Sequence, residues 1–243
     1  MGAVKHLDWD TSFFGFPVAS VVHSENAKTN QLLNSFCERG YKLVYLFVPQ
    51  NVKKPEAALL EKYCGLLADR KITYKFTFSE MPKPIICPNI RINEFSQVNK
   101  SLVKLAIAAG EYSRFHTDPN FSEVLFRRLY ERWIENSVSG KMADFVITYH
   151  MEKRIVGLIT LKISGESAKI GLISVDKKIQ GKGIGTSLIH EVISLAYQQG
   201  VSAIEVVTQE DNFEACRFYE AQGFIKYNFE FVYHFWLKNN DTL

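Results

Sequence analysis

Apolar positions recur along the chain with two different periods, and the switches between them divide it into elements. From Asn26 to Arg39, Leu32, Leu33 and Phe36 share a helical face and Gly40 follows, which predicts an amphipathic helix with a glycine stop. Residues 42–48 (KLVYLFV) are almost wholly apolar and predict a buried strand. Residues 55–67 predict a helix, and 70–78 (RKITYKFTF) alternate like a half-exposed strand. Ahead of these, residues 6–23 crowd aromatics around Gly15 and Pro17 and run into β-branched residues, which predicts a loop feeding a strand.

Three prolines between Met81 and Pro88 predict a linker, with an amino-terminal α/β domain over 1–82 and a second domain over 83–243. Beyond it the pattern predicts a strand (89–94), a helix (96–108), a polar aromatic loop (110–120) and a helix (121–138). Three strands near 143–150, 154–163 and 168–176 follow, then helix 183–199, strand 203–208, helix 211–222 and strands 224–229 and 231–238. This is a mixed α/β order, an antiparallel meander followed by a crossover unit.

Composition narrows the function. The 243 residues are 47% hydrophobic and 23% charged, values of an ordinary globular chain with enough residues for a sizeable core. A net charge of +3 with no focused basic patch argues against nucleic acid as partner. The four cysteines form no CxxC and the histidines no ligand pair, so neither disulfides nor a metal are expected. No stretch is apolar enough to insert in a membrane and the first residues lack a signal core, so the expected compartment is a reducing cytoplasm.

The candidate chemistry lies between Lys169 and Leu188. An apolar strand enters a loop with Gly181, Gly183 and Gly185 at alternate positions, and Ile184, Leu188, Ile189 and Val192 then mark a helix. Glycines let a ligand approach the backbone, and the open N–H groups of a helix start favour an anion, most naturally a pyrophosphate. Lys177, Lys178 and Lys182 add charge at the mouth. The third glycine of a dinucleotide fingerprint and the Gly-Lys-Ser/Thr of a P-loop are both missing. A glycine-rich turn without a ligand is the alternative.

Gln180-Gly181-Lys182-Gly183-Ile184-Gly185 resembles the Gln/Arg-x-x-Gly-x-Gly/Ala signature of the GCN5-related N-acetyltransferases (GNAT). The stretch Asn212-Phe-Glu-Ala215-Cys-Arg-Phe218-Tyr219-Glu-Ala-Gln-Gly223-Phe224 is similar to that superfamily's second conserved segment. The element order from Asn89 onward also resembles the superfamily's. Within it, Leu7-Asp8-Trp9-Asp10 with Phe13-Phe14-Gly15-Phe16-Pro17, Tyr112-Ser113-Arg114-Phe115 with Asp118-Pro119, Leu129-Tyr130 with Trp133-Ile134, and Tyr233-His234 with Trp236 resemble the dTDP-fucosamine acetyltransferase type. Those enzymes acetylate the 4-amino group of dTDP-4-amino-4,6-dideoxyhexoses in bacterial surface-polysaccharide synthesis.

The resemblance implies a GNAT fold with a mixed, splayed central sheet, acetyl-CoA as cosubstrate with no metal, and a nucleotide-sugar acceptor; a homodimer is compatible with it. It implies that Ile173, Ser174 and Val175 pair by backbone with the pantetheine arm and that Gln180, Gly181, Lys182, Gly183, Ile184, Gly185 and Thr186 cradle the pyrophosphate. Asn212 would bind the arm and Tyr219 would be the general acid, contacting the cofactor. Tyr112, Arg114, Phe115, His116, Asp118 and Phe14 would meet the acceptor. Plainer readings stay open: Gln180 as a solvated loop residue, Tyr219 as packing, Arg114 as a surface cation, Asp118 as a turn former and Phe14 as core. Acetylation of another amine (a protein N-terminus, an amino acid, an aminoglycoside) and a non-catalytic acetyl-CoA sensor are the rival functions.

Overall fold

A computed structural model describes residues 4–79, 82 and 87–238. The expected linker at 81–88 falls largely outside these residues. The elements in chain order are β1 (Lys5–His6), α1 (Asp8–Phe14), β2 (Val18–Val22), α2 (Asn26–Glu38), β3 (Leu43–Pro49), α3 (Ala57–Lys62), β4 (Gly65–Thr77), β5 (Ile90–Ile92), α4 (Lys100–Ala109), α5 (Arg114–Thr117) and α6 (Glu123–Val138). They continue with β6 (Phe145–Met151), β7 (Arg154–Ser164), β8 (Ser167–Val175), a 3₁₀ turn (Lys177–Ile179), α7 (Ile184–Gln198), β9 (Ala203–Gln209), α8 (Phe213–Ala221) and β10 (Ile225–Trp236).

The chain gathers into two compact units, Met1–Lys71 with Phe229–Leu243, and Ile72–Asn228. The boundary expected at 82/83 left the whole carboxy-terminal end with the second domain; here the end of β10 belongs to the first unit, and β4 and β10 each pass from one unit to the other.

In the first unit the strands run β1-β2-β3-β10, with β2 and β3 parallel and the other pairs antiparallel. Ala19, Val21, Leu33, Phe36, Val44, Leu46 and Phe235 form its core. Residues 8–14, expected as loop, are a helix: Asp8 and Asp10 sit in the first turn, where they complement the helix dipole, and Gly15 ends it. The helix expected over 55–67 stops at Lys62, because Cys64 turns the chain through a left-handed conformation (φ 51°) and β4 begins at Gly65. The two strands expected at 224–229 and 231–238 are one continuous β10.

In the second unit the order is β4-β9-β8-β7-β6-β5, antiparallel from β5 to β8 and parallel between β8 and β9. The sheet is mixed and open, as the α/β expectation required. A strand from before the expected linker, β4, is the neighbour of β9, and a single strand follows α8 where two were expected. Helix α4 packs on β7 and β8 and α7 on β6, β7 and β8. The helices expected from 96 and 121 start later, where a side chain caps them: Asn99 caps α4 by accepting from the Ser101 and Leu102 amides, and Ser122 caps α6 through Leu125. The loop expected at 110–120 contains the single turn α5.

Candidate active site

Strand β8 has two partners of unequal length. Its antiparallel ladder with β7 continues to Gly157–Val175, whereas its parallel ladder with β9 ends at Ile170–Val206. The two strands therefore part, and the half-buried end Ile173–Val175 runs along the opening. This is the splay that the resemblance implied. Thr160 Oγ1, at a bulge in β7, accepts from the Leu172 amide at 2.9 Å, and the Ser174 hydroxyl donates to the Leu105 carbonyl at 2.7 Å. The first bond ties the end of β8 to β7 and the second ties it to α4.

Past β8 the chain makes the 3₁₀ turn and reaches Gly183, which precedes α7 in a left-handed conformation (φ 74°). No side chain caps α7, and a Cβ built at Gly183 would meet nothing within 4 Å. The amides of Ile184, Gly185 and Thr186 have no intrahelical acceptor, so this is an open anion cradle with room above it. Gly185 is needed for a different reason: a Cβ there would lie 3.2 Å from Cζ of Phe218, so the first turn of α7 rests on a ring from α8.

Two ion pairs hold the loop in place. Lys104 Nζ lies 2.9 Å from Asp176 Oδ2, and Lys177 Nζ lies 2.6 Å from Glu111 Oε1. The Lys104 ammonium, with the Lys178 amide, holds the Asp176 carboxyl below the usual aspartate range, and the bond to Glu111 raises Lys177. Lys177, expected as charge at the phosphate mouth, is thus engaged with Glu111, while Lys178 and Lys182 are exposed. Gln180 donates from Nε2 to the Val175 carbonyl at 3.3 Å, tying the loop back to β8.

Helix α8 begins at Asn212, whose Oδ1 accepts from the Ala215 amide at 3.2 Å. One face of that side chain is spent on the cap, and its NH₂ group retains two donors. Tyr219 is 3% exposed. Burial first, and Cys216 second, push its phenol well above the ordinary tyrosine value, so it stays protonated. Its ring lies 5.8 Å from Tyr74 of β4, 5.5 Å from Phe218 and 5.9 Å from Phe224.

The loop after α4 is a built structure. His116 Nδ1 is 2.7 Å from the Glu111 carbonyl, its Nε2 faces Glu123 at 3.7 Å, and its ring stacks on Phe126. Asp118, 1% exposed, accepts from both nitrogens of Asn120 at 2.9 Å in an Asx turn, so the turn-forming role is realised. Tyr112 is exposed, and the Arg114 guanidinium lies 4.8 Å from the centroid of the Phe115 ring. A groove of about 800 Å³ runs along α4 and α6; His116 lines it, and none of the expected cofactor residues does. Phe14 belongs to the first unit, where it stacks on Phe16 at 5.7 Å and Phe16 meets Trp236 edge-on.

Within the second unit Gly185 lies against Val175 of β8 and Phe218 of α8, so the end of β8, the start of α7 and the helix that carries Tyr219 meet there, and the Glu111–Lys177 pair links the 110–120 loop to the 3₁₀ turn. Tyr74 and Glu220 were missed. Alternation in RKITYKFTF puts Tyr74 on the same face as Ile72, but nothing local signals that α8 will lie over it. Among the described residues no His, Cys, Asp and Glu side chains gather as a metal site, and no helix is long and apolar enough to cross a membrane.

A parted parallel strand pair beside an uncapped, glycine-led helix start defines an α/β protein built to hold an extended ligand with an anionic head. Residues 109–224 match the acetyltransferase (GNAT) family, whose members are acetyl-CoA-dependent transferases. Curated relatives include the spore coat polysaccharide biosynthesis protein SpsD of Bacillus subtilis (24% identity, 56% of this chain, 47% of that protein). Streptothricin acetyltransferase A of the same organism is 28% identical over 56% of this chain and 82% of its own. A dTDP-fucosamine acetyltransferase of Escherichia coli O6:H1 is 31% identical over 51% of this chain and 53% of that protein. The chain thus spans about half the length of two of these three relatives. Among solved structures, a GCN5-related N-acetyltransferase from Sphaerobacter thermophilus shares the fold with a TM-score of 0.60 at 17% identity, covering 99% of this chain and 78% of that one.

Proposed function

We propose that this protein transfers acetyl from acetyl-CoA to the amino group of a nucleotide-linked 4-amino-4,6-dideoxyhexose. The observation that carries the acetyl-CoA half is the opening between β8 and β9, with the uncapped start of α7 at its mouth. The donor supplies an acetyl group activated as a thioester. Amides of the 183–186 turn would hold its pyrophosphate, and the end of β8 and the NH₂ of Asn212 would pair with its amide-bearing arm. The N–H near Val175 would donate to the thioester oxygen as charge develops there.

Tyr219 would hold a proton at its hydroxyl for the departing sulfur. A phenol raised by burial is a weaker acid, but the same dry surroundings raise the basicity of a thiolate released beside it. The balance is simple: an N–C bond forms, the C–S bond breaks, the amine gives a proton to water, and the tyrosine proton reaches sulfur and is replaced from solvent. A sugar amine with a pKa like that of an α-amino group, about 7.8, is roughly one-seventh free base at pH 7, whereas a lysine at about 10.4 is free well below a thousandth. The site therefore needs no strong base for such an acceptor.

The acceptor half is supported by the 110–120 loop, which presents Tyr112 and Arg114 from a fixed frame; a planar guanidinium suits a diphosphate. Two of the relatives named above carry polysaccharide or amino-sugar names, which favours a sugar nucleotide. A cytoplasmic location follows from that reading, since both substrates are made there. The test is a mass-spectrometric screen of dTDP-, UDP- and GDP-linked 4-amino sugars, with streptothricin and peptide amines alongside, each with acetyl-CoA. Acetylation of a dTDP-amino sugar is expected; turnover of streptothricin alone would overturn the sugar assignment.

A further inference from the structure

Helix α8 is short, and its two ends are held differently. Asn212 caps its start, whereas no basic side chain lies in its last turn, the turn that carries Tyr219 and Glu220. Two of the three rings around Tyr219, Phe218 and Phe224, are close neighbours in sequence and move with it. The third, Tyr74, is anchored in β4, fully buried, with its ring centroid 5.8 Å away. Its hydroxyl donates to Glu220 Oε1 at 2.7 Å, a charge-assisted bond from the interior to an exposed carboxylate.

From this geometry we infer that Tyr74 is a positioning residue for Tyr219, its hydroxyl pinning the last turn of α8 through Glu220 while its ring sets the plane against which the Tyr219 ring rests. The inference rests on the reading of Tyr219 as proton donor. Phenylalanine would fill the same volume at position 74, so the hydroxyl serves its bonds into α8, the first to Glu220 and a lesser one to the Cys216 thiol one turn earlier. Burial, together with Glu220 and Cys216, raises the Tyr74 phenol, which keeps it a donor across the working pH range. A hinge of even modest play at this turn matters because proton transfer demands hydrogen-bond reach.

A double-mutant cycle on kcat decides the matter, with CoA thiol release measured on dTDP-4-amino-4,6-dideoxygalactose and, separately, on water as acceptor. Tyr74→Phe is expected to lower kcat about tenfold with the KM for acetyl-CoA unchanged, and to cost nothing further once Tyr219→Phe is present. Glu220→Gln keeps an acceptor oxygen and should stay within about twofold of the parent, whereas Glu220→Leu should reproduce Tyr74→Phe. Because Glu220 is exposed, Glu220→Leu also completes the cycle if Tyr74→Phe fails to fold. Equal losses in the two backgrounds would mean a general structural role and overturn the inference, as would a parental kcat for Tyr74→Phe. A Tyr219→Phe protein with parental kcat would instead refute the proton-donor reading.

Discussion

Gly183 and Gly200 bracket α7 and differ in one respect only. Both have positive φ (74° and 72°), and a Cβ at either would meet nothing within 4 Å. An alanine at either position pays about 1 kcal/mol of left-handed strain, about 2–4 °C in Tm for a chain of this size. The two lie beyond opposite ends of a helix of 15 residues, which is about 22 Å long at 1.5 Å per residue. If the start of α7 is the pyrophosphate cradle, the methyl of Gly183→Ala occupies the space above those amides, and CoA binding should weaken at least tenfold, about 1.4 kcal/mol. Gly200→Ala should show the same loss of Tm and parental CoA affinity. Thermal unfolding without ligand and calorimetric titration with CoA separate strain from blockage. Parental affinity in Gly183→Ala, or equal weakening in Gly200→Ala, would refute the cradle.

Tyr219→Phe should bind acetyl-CoA as the parent does while kcat falls on the order of a hundredfold, the low end for general acid catalysis given a thiol leaving group. Because burial raises that phenol, its protonated form persists as pH rises, and the parent's kcat should show no alkaline fall near the ordinary tyrosine value of about 10; such a limb, absent in Tyr219→Phe, would contradict this. Arg114→Ala should raise the KM of the sugar nucleotide and leave that of acetyl-CoA nearly unchanged, and the reverse pattern would remove this loop from the acceptor site. Asp176 has a folded pKa below its unfolded one, so its contribution is present above about pH 4 and lost as pH falls through the folded value. Asp176→Asn, which keeps the turn cap, should therefore unfold at a lower Tm than the parent at pH 7, with a gap that narrows as pH falls below about 4; a gap that stays constant into acid would assign the loss to packing.

What could be read in the sequence was local chemistry. The glycine spacing at 181–185 shows the turn, and the apolar period after it shows the helix, because both are set by neighbours a few residues apart. The stop at Gly40 belongs to the same class. What escaped depends on partners far along the chain. Glu230 looked like a break between two strands; in the structure its carboxylate meets Lys71 at 2.8 Å, both side chains largely buried, and β10 runs on through it. Tyr74 reads as one residue of an alternating strand, and its meeting with α8 is set by β4 taking the place beside β9. The aromatic crowding at 9–16 concealed a helix because its rings stack on one another, Trp9 on Phe13 at 5.0 Å, rather than forming a simple apolar stripe.

The return of β10 to the first unit bears on how the protein is made. Strand β3 takes β2 on one side and β10 on the other, with Tyr233 opposite Leu46, a pairing that closes over nearly the whole chain. A ribosome delivers β3 long before β10, so the first unit cannot finish folding until β10 has emerged. The second unit likewise needs β4 from before its own meander. Such long-range closure slows folding, and until β10 arrives the β3 edge stands open to other chains. Nascent chains stalled before residue 229 should therefore depend on chaperones to stay soluble, and the emergence of β10 is the event that permits the first sheet to close.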